Sequence, residues 1–434
     1  MLDLCQQKGT QMSASDKSIN HIDPVVRETV NRLEEYLSQN PEERTASIAL
    51  EGILHGLTIE ILADTSEPES RKRMVRLLEE LLDLFPESTI PYRNLAKSFM
   101  NMDDHKTALR YTEAGLRVEP ENEDLVFDHA LCLLEMKQYQ DAIHGFERYL
   151  KLNDSYPWAY CNMGTSYRSM GDFRQAEKHY RHALRLDWNF APAHYSLAML
   201  YIDMGEWERV EYHADIAREY DPWIKDVYLA LGDASMALKK PEIAIISLQQ
   251  AAMIDVNFVE AYETMSAAYT DVGMYELAIA AGNEALKRNP ESWMALANIG
   301  YAYSKQEMWK QAIEFQLAAL QKNPTEDSTY KMYWDLGWCY LQLDDHDNAM
   351  EYTDKALSMK DDPDLILLFN KGLVFLSQGK EKEANLIYDE ALKQAEGASD
   401  LDNVKEGLSD IKDFMTKKGQ SNGQMTTLFK LIKG

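Results

Sequence analysis

Residues 157–190 read PWAYCNMGTSYRSMGDFRQAEKHYRHALRLDWNF. Two helical patterns flank the break Met170-Gly171-Asp172-Phe173, where the glycine supplies the left-handed conformation that ends a helix. Gly164 in the first pattern and Ala176 in the second are small. Two antiparallel helices approach to about 8–10 Å only if small residues sit at their crossing. Tyr167, three residues after Gly164, fills the space toward a neighbouring pair. One such pair cannot bury its apolar face alone, so it needs copies of itself on either side.

The copies are there. The small residue recurs every 34 residues as Ala96, Ala130, Gly164, Ala198, Gly232, Ser266 and Gly300, then after 37 and 35 as Gly337 and Gly372. A second series runs Ala108, Ala142, Ala176, Val210, Ala244, Ala278, Ala312, Ala349 and Ala384. Aromatics hold the phase at Phe99, Tyr167, Tyr201, Tyr269, Tyr303, Tyr340 and Phe375, and prolines close several units at Pro86, Pro120, Pro222, Pro290 and Pro324.

A helix–turn–helix period of 34 with these residue types resembles the tetratricopeptide repeat family, matched in residues 157–190 at Gly164, Tyr167, Ala176, Tyr180 and Ala183. Local departures are Ser235 for the usual aromatic, Val210 for alanine and His129 for leucine. The resemblance implies an all-α fold, a right-handed α-solenoid (superhelix) with helical caps. Its units are expected at 89–122, 123–156, 157–190, 191–224, 225–258, 259–292, 293–326, 330–363 and 365–398. Residues 1–22 are expected to be a flexible N-terminus, and 23–88 a capping helix (23–38) with a degenerate unit. A second capping helix is expected in 399–418, and a flexible tail with an apolar motif in 419–434.

Composition narrows the function. Of 434 residues, 45 are Lys or Arg and 72 Asp or Glu, a net charge of −27. That balance argues against nucleic-acid binding, which draws its affinity from a basic footprint, and against docking on anionic membranes. Four scattered cysteines (Cys5, Cys132, Cys161, Cys339) make neither a disulfide framework nor a zinc ribbon. No segment reaches the run of about 18 apolar residues that a membrane span needs. The N-terminus lacks the apolar run of a secretory signal, and Cys5 lacks the apolar stretch that a lipoprotein box requires. The expectation is a cytoplasmic protein whose start is either Met1 or Met12.

Catalytic signatures are missing: no Gly-rich phosphate loop, no HExxH, no GxSxG. The repeats use nearly every residue, so no enzyme activity, cofactor or metal is expected. His179, His182 and His213 read as solvent-facing polar residues, because equivalent positions one repeat apart are too distant to share a zinc ion. Asp344-Asp345-His346-Asp347 reads as a solvated inter-helix turn rather than a calcium loop, lacking the alternating oxygens and closing glutamate.

What remains is binding. The resemblance implies that the first helix of each unit lines a concave face. In the eighth unit the core stripe Tyr333, Gly337, Tyr340 is shadowed by a second apolar stripe, Trp334, Trp338 and Leu341. Ala297 and Tyr301 stand in phase before it, Phe369 and Leu373 after it. Two readings stay open: packing between adjacent helices, or a hydrophobic groove with Tyr301, Trp334, Trp338, Phe369 and Leu373 as anchors. Beside them runs a polar series that includes Asn162, Asn298 and Asn370, resembling the amide ladder with which long members of the family grip an extended peptide. Only Arg93 and Lys97 are basic on the first clear unit's inner face, too few for the family's carboxylate clamp.

The expected function is a non-enzymatic adaptor for a neutral or basic protein or peptide partner. The alternatives are a self-assembling scaffold (a homo-oligomer) or a non-catalytic regulatory subunit. The scaffold reading rests on the tail MTTLFKLIKG, residues 425–434, where Leu428, Phe429, Leu431 and Ile432 accompany Lys430 and Lys433.

Overall fold

The structure, a computed structural model, describes residues 86–322, 324–360 and 365–395, with a few positions in 72–83 and the isolated residues 28 and 416. The expected capping helices, most of residues 23–88, and the tail motif Leu428, Phe429, Leu431, Ile432 lie outside the described residues. Among the described residues there are 18 helices and no strand. The chain is an all-α helical-repeat solenoid.

It divides after Leu200 into two compact units. The first holds α1 (Thr89–Met100), α2 (His105–Val118), α3 (Glu123–Glu135), α4 (Tyr139–Leu152), α5 (Pro157–Ser169) and α6 (Phe173–Leu186). Helix α7 (Ala191–Met204) runs across the division. The second unit holds α8 (Trp207–Tyr220), α9 (Lys225–Ala237), α10 (Pro241–Ile254), α11 (Val259–Asp271), α12 (Tyr275–Arg288), α13 (Trp293–Lys305), α14 (Trp309–Leu320), α15 (Glu326–Gln342), α16 (His346–Leu357), α17 (Leu365–Ser377) and α18 (Glu381–Ala395). Odd-numbered helices are the first of each hairpin and even-numbered ones the second.

The ends of these helices follow from local chemistry. Asp104, Asn122, Asp172, Ser292, Thr325 and Asp345 cap the helices that follow them by accepting a backbone N–H three residues on. Every turn inside a hairpin places one residue at positive φ: Gly171, Gly205, Gly273 and Gly379, but also Asp103, Lys137, Lys239, Glu307 and Asp344. Glycine takes that conformation without steric cost, so five turns keep the geometry with less suitable residues. Asp344 and Asp345 thus belong to a turn and a helix cap, as expected for that acidic run.

Packing inside a hairpin depends on the small residue of the first helix. A Cβ on Gly164 would stand 2.6 Å from the Tyr180 ring, and one on Gly372 would stand 2.2 Å from Cε1 of Tyr388. Both tyrosines are fully buried, so neither ring can swing out to solvent. Gly372→Ala is therefore expected to destabilise the last hairpin by about 1–3 kcal/mol through overpacking, although alanine favours a helix by about 1 kcal/mol. The check is urea unfolding followed by circular dichroism, beside Gly171→Ala. There nothing lies within 4 Å of the new Cβ, so its cost is not overpacking but the strain of a left-handed backbone conformation, about 1–2 kcal/mol.

Candidate functional site

In the second unit the first-helix face is built by α11, α13, α15 and α17. Trp334 and Trp338 are one turn apart on α15 and both are half-buried. Trp334 meets the Tyr330 ring edge-on at 6.2 Å and packs over a small cluster that includes Leu367 of α17. Trp338 packs on a larger cluster that contains Leu341, Phe369 and Leu373. Tyr301 on α13 is also half-buried, with the Lys305 ammonium 5.1 Å from its ring centroid.

Phe369 and Leu373 are 0% exposed, and Leu341 is 1% exposed. Of the two readings left open, the groove fails for Phe369 and Leu373, which with Leu341 form the floor on which Trp338 rests. The reason is visible in α17, LILLFNKGLVFLS, which is apolar nearly all round and so is buried on more than one stripe.

The polar series also turns inward. Asn298 donates its Nδ2 to the backbone carbonyl of Glu263, 2.8 Å away on α11, tying one hairpin to the next. Asn370 is 4% exposed, and its Oδ1 has no hydrogen-bond partner among the described residues. Asn162, in the first unit, is half-buried, and its backbone carbonyl accepts from the Ser166 hydroxyl at 2.9 Å. Asn298 thus ties two helices together, and Asn370 is buried rather than part of an open ladder.

The first helices of the second unit also carry carboxyls, of which only Asp335 stands in the polar series read from the sequence. Burial pushes Asp335 of α15 up to about 7, against the pull of Lys305 and Lys331. It pushes Asp233 up to about 6, and raises Glu263 and Asp271 as well. Lys305 is the cation that acts on both Asp271 and Asp335. Glu263 accepts from the Ser292 hydroxyl, and Asp233 from the Thr264 hydroxyl at 3.5 Å. One signal could have found part of this set: Asp271 and Lys305 occupy the same repeat phase, 34 residues apart.

Gln316 of α14 supplies a second layer. Its side chain is buried, and its Nε2 donates to Oδ2 of Asp335 and to the carbonyl of Ala297, both at 3.4 Å. Its Oε1 has no partner among the described residues. A neutral Asp335 could donate a proton to that oxygen once the amide is turned, whereas a carboxylate cannot.

This sets a pH dependence. The folded-state pKa of Asp335 is raised above its unfolded value, so folding favours the neutral acid. Its contribution to stability is full below about pH 4 and is lost as pH rises through about 7. Asp335→Asn keeps a donor for Gln316 and removes the charge. The variant is expected to be more stable than the native chain at pH 8, by up to about 4 kcal/mol at 1.36 kcal/mol per pKa unit, the pull of Lys305 on the native carboxylate being already included. The gain should shrink steadily toward pH 5. Urea midpoints of both proteins at pH 5, 7 and 8 check it.

The first unit differs. Arg93 pairs with Asp124 and lies 3.8 Å from Asp128, while Lys97 lies 4.0 Å from the same carboxyl. Burial still outweighs both cations and pushes Asp128 up to about 6. The histidines are not simply solvent-facing, which corrects that expectation. His182 stacks on Tyr160 at 4.0 Å, His179 on Tyr167 at 5.3 Å, and burial pulls His179 down to about 4. In the second unit His213 stacks on Tyr201 at 5.5 Å. Among the described residues no three His, Cys, Asp or Glu side chains are placed to share a metal ion. No helix among them is long and apolar enough to cross a membrane.

Comparison with known proteins agrees with the repeat reading. Models described as tetratricopeptide repeat match residues 157–187, 268–327 and 330–363. The bovine (Bos taurus) BBSome complex member BBS4 is 21% identical over 320 residues, 74% of this chain and 61% of that protein. The chain therefore spans less than two thirds of that relative. Among solved structures, YrrB, titled a TPR protein with an unusual peptide-binding site, is 23% identical, with 41% of this chain and 92% of that one covered and a TM-score of 0.37. The APC/C Cut9–Hcn1 hetero-tetramer structure is 12% identical, with 92% of each chain covered and a TM-score of 0.48.

Proposed function

Because the chain is a tetratricopeptide repeat protein, we propose that it is a non-enzymatic adaptor that holds a protein partner on the first-helix face of its second unit. One observation carries the reading. Two tryptophans a turn apart on α15 keep part of their surface open above a fully buried floor. Half-exposed aromatic side chains on a rigid base are the anchors that dominate interface energies.

Tyr301, Trp334 and Trp338 supply the apolar contacts. Asp233, Glu263, Asp271 and Asp335, set against Lys305, favour a partner segment that is neutral or carries Lys or Arg. A cation brought beside a carboxyl that burial has destabilised lowers the cost of ionising it. The overall charge of −27 steers such a partner in the same sense. Supporting a cytoplasmic setting, Cys132, Cys161 and Cys339 are free and buried thiols.

The test is capture from a lysate of the source cells by the native chain and by a Trp334→Ala/Trp338→Ala variant of native helicity. The native chain is expected to retain a partner that the variant loses. Identical partner lists would remove the reading.

A further inference from the structure

The second helix of a repeat hairpin ordinarily presents a polar stripe outward, and α10 does not. Its sequence PEIAIISLQQAAMI buries Ala244, Ser247, Leu248 and Ala251 on one stripe. On the opposite stripe Ile246 is 62% exposed and Met253 77% exposed, with Ile243 also exposed. Between Ile243 and Ile254 there is no charged residue. The neighbouring second helices extend the patch in register: Tyr212 of α8 is 34 residues before Ile246, and Leu277 of α12 is 34 after Ile243, and both are exposed. Exposed large apolar side chains gathered on one helix face, interrupted here only by Gln249 and Gln250, mark an interaction site.

Its border is acidic. Glu208, Glu242 and Glu276 stand in the first turns of α8, α10 and α12 at intervals of 34, and all three are exposed. Glu242 precedes Ile243 and Glu276 precedes Leu277 by one residue, and Glu208 precedes Tyr212 by four, one helical turn. The matching occupant is therefore apolar and basic, with no acid.

One segment of this same chain fits. From residue 414 to residue 434 there are four lysines, Lys417, Lys418, Lys430 and Lys433, and no aspartate or glutamate, in a chain whose net charge is −27. Within it Leu428, Phe429, Leu431 and Ile432 are interleaved with Lys430 and Lys433. Reach is sufficient. With the 20 residues of the expected capping helix counted at about 1.5 Å each and the other nine extended, residues 396–424 reach about 60 Å, and α18 follows α10 by four hairpins, about 40 Å when adjacent hairpins pack about 10 Å apart.

We propose that residues 425–434 dock on the outer face of α10, with Leu428, Phe429, Leu431 and Ile432 on Ile243, Ile246 and Met253, and the two lysines toward the glutamate row. This surface lies on second helices. It is distinct from the first-helix face assigned to the partner, and its test needs no partner.

The experiment places a photo-crosslinking p-benzoylphenylalanine at Phe429 of the full chain and maps the products by mass spectrometry. Cross-links are expected in residues 241–256. They should fall about tenfold in an Ile246→Asp background, where a charge would have to be buried under the tail. They should weaken as salt is raised, because the lysine contacts are screened. Ile246 is exposed, so that variant folds, and its circular dichroism serves as the control. Mixing chains of two isotopic compositions shows whether the tail belongs to the same molecule or to a neighbour. Cross-links confined to α13, α15 or α17, cross-links indifferent to Ile246→Asp, or none at all would each overturn the proposal.

Discussion

Phe369→Ala is expected to lower the stability of the last hairpins by about 3–5 kcal/mol, the range for truncating a buried phenylalanine. The ring is fully buried in a cluster with Leu368, Leu373, Tyr388 and Ala391, and Trp338 covers it from α15. Removing it leaves a cavity that rigid helices on either side cannot close. In a repeat stack each hairpin contacts only its neighbours, so the damage should stay local. Hydrogen exchange should show α17 and α18 losing protection while α9 and α10 keep theirs. A variant with unchanged protection in α17 would mean that the Phe369 position is open surface after all.

Phe369 also shows where the sequence stopped being legible. The period of 34, with a small residue at each crossing, is a strong signal, because a hairpin interface fails sterically without it; Gly372 against Tyr388 is the tightest case. A second apolar stripe, by contrast, carries no label saying which neighbour covers it. Trp334 and Trp338 on α15 and Phe369 and Leu373 on α17 hold equivalent phases, yet the first pair is half-buried and the second fully buried. The difference lies in α17, where apolar residues on several stripes draw neighbours over both faces.

The polar residues were harder still. Asn298 looked like a ligand-facing amide, but its partner is a backbone carbonyl 35 residues away, a contact that only the stacked geometry creates. The raised carboxyls of Asp233 and Asp335 likewise depend on what neighbouring helices place over them. His179 and His182 read as solvent-facing because the tyrosines they stack on, Tyr167 and Tyr160, belong to the other helix of the hairpin. Contacts that recur in every hairpin, such as Gly164 against Tyr180 and Gly372 against Tyr388, were legible as a period, whereas contacts made once, such as Asn298 with the Glu263 carbonyl, were not.

The second large effect falls on binding rather than folding. Trp334 and Trp338 lie above the floor, so truncating both should cost far less stability than truncating Phe369. Each is expected to contribute about 1–2 kcal/mol or more to partner binding, in the range of aromatic anchors at interface centres. At 1.4 kcal/mol per tenfold, the pair should weaken binding by about 30-fold to 1,000-fold.

The most direct measurement is the dissociation constant of the captured partner for the native chain and for the Trp334→Ala/Trp338→Ala variant, at one pH and one salt concentration. A loss of at least about 30-fold, with helicity and unfolding of α9 to α14 unchanged, is the predicted result. Affinities equal within about twofold would show that the tryptophans of α15 only pack, and that partners are held elsewhere on the chain.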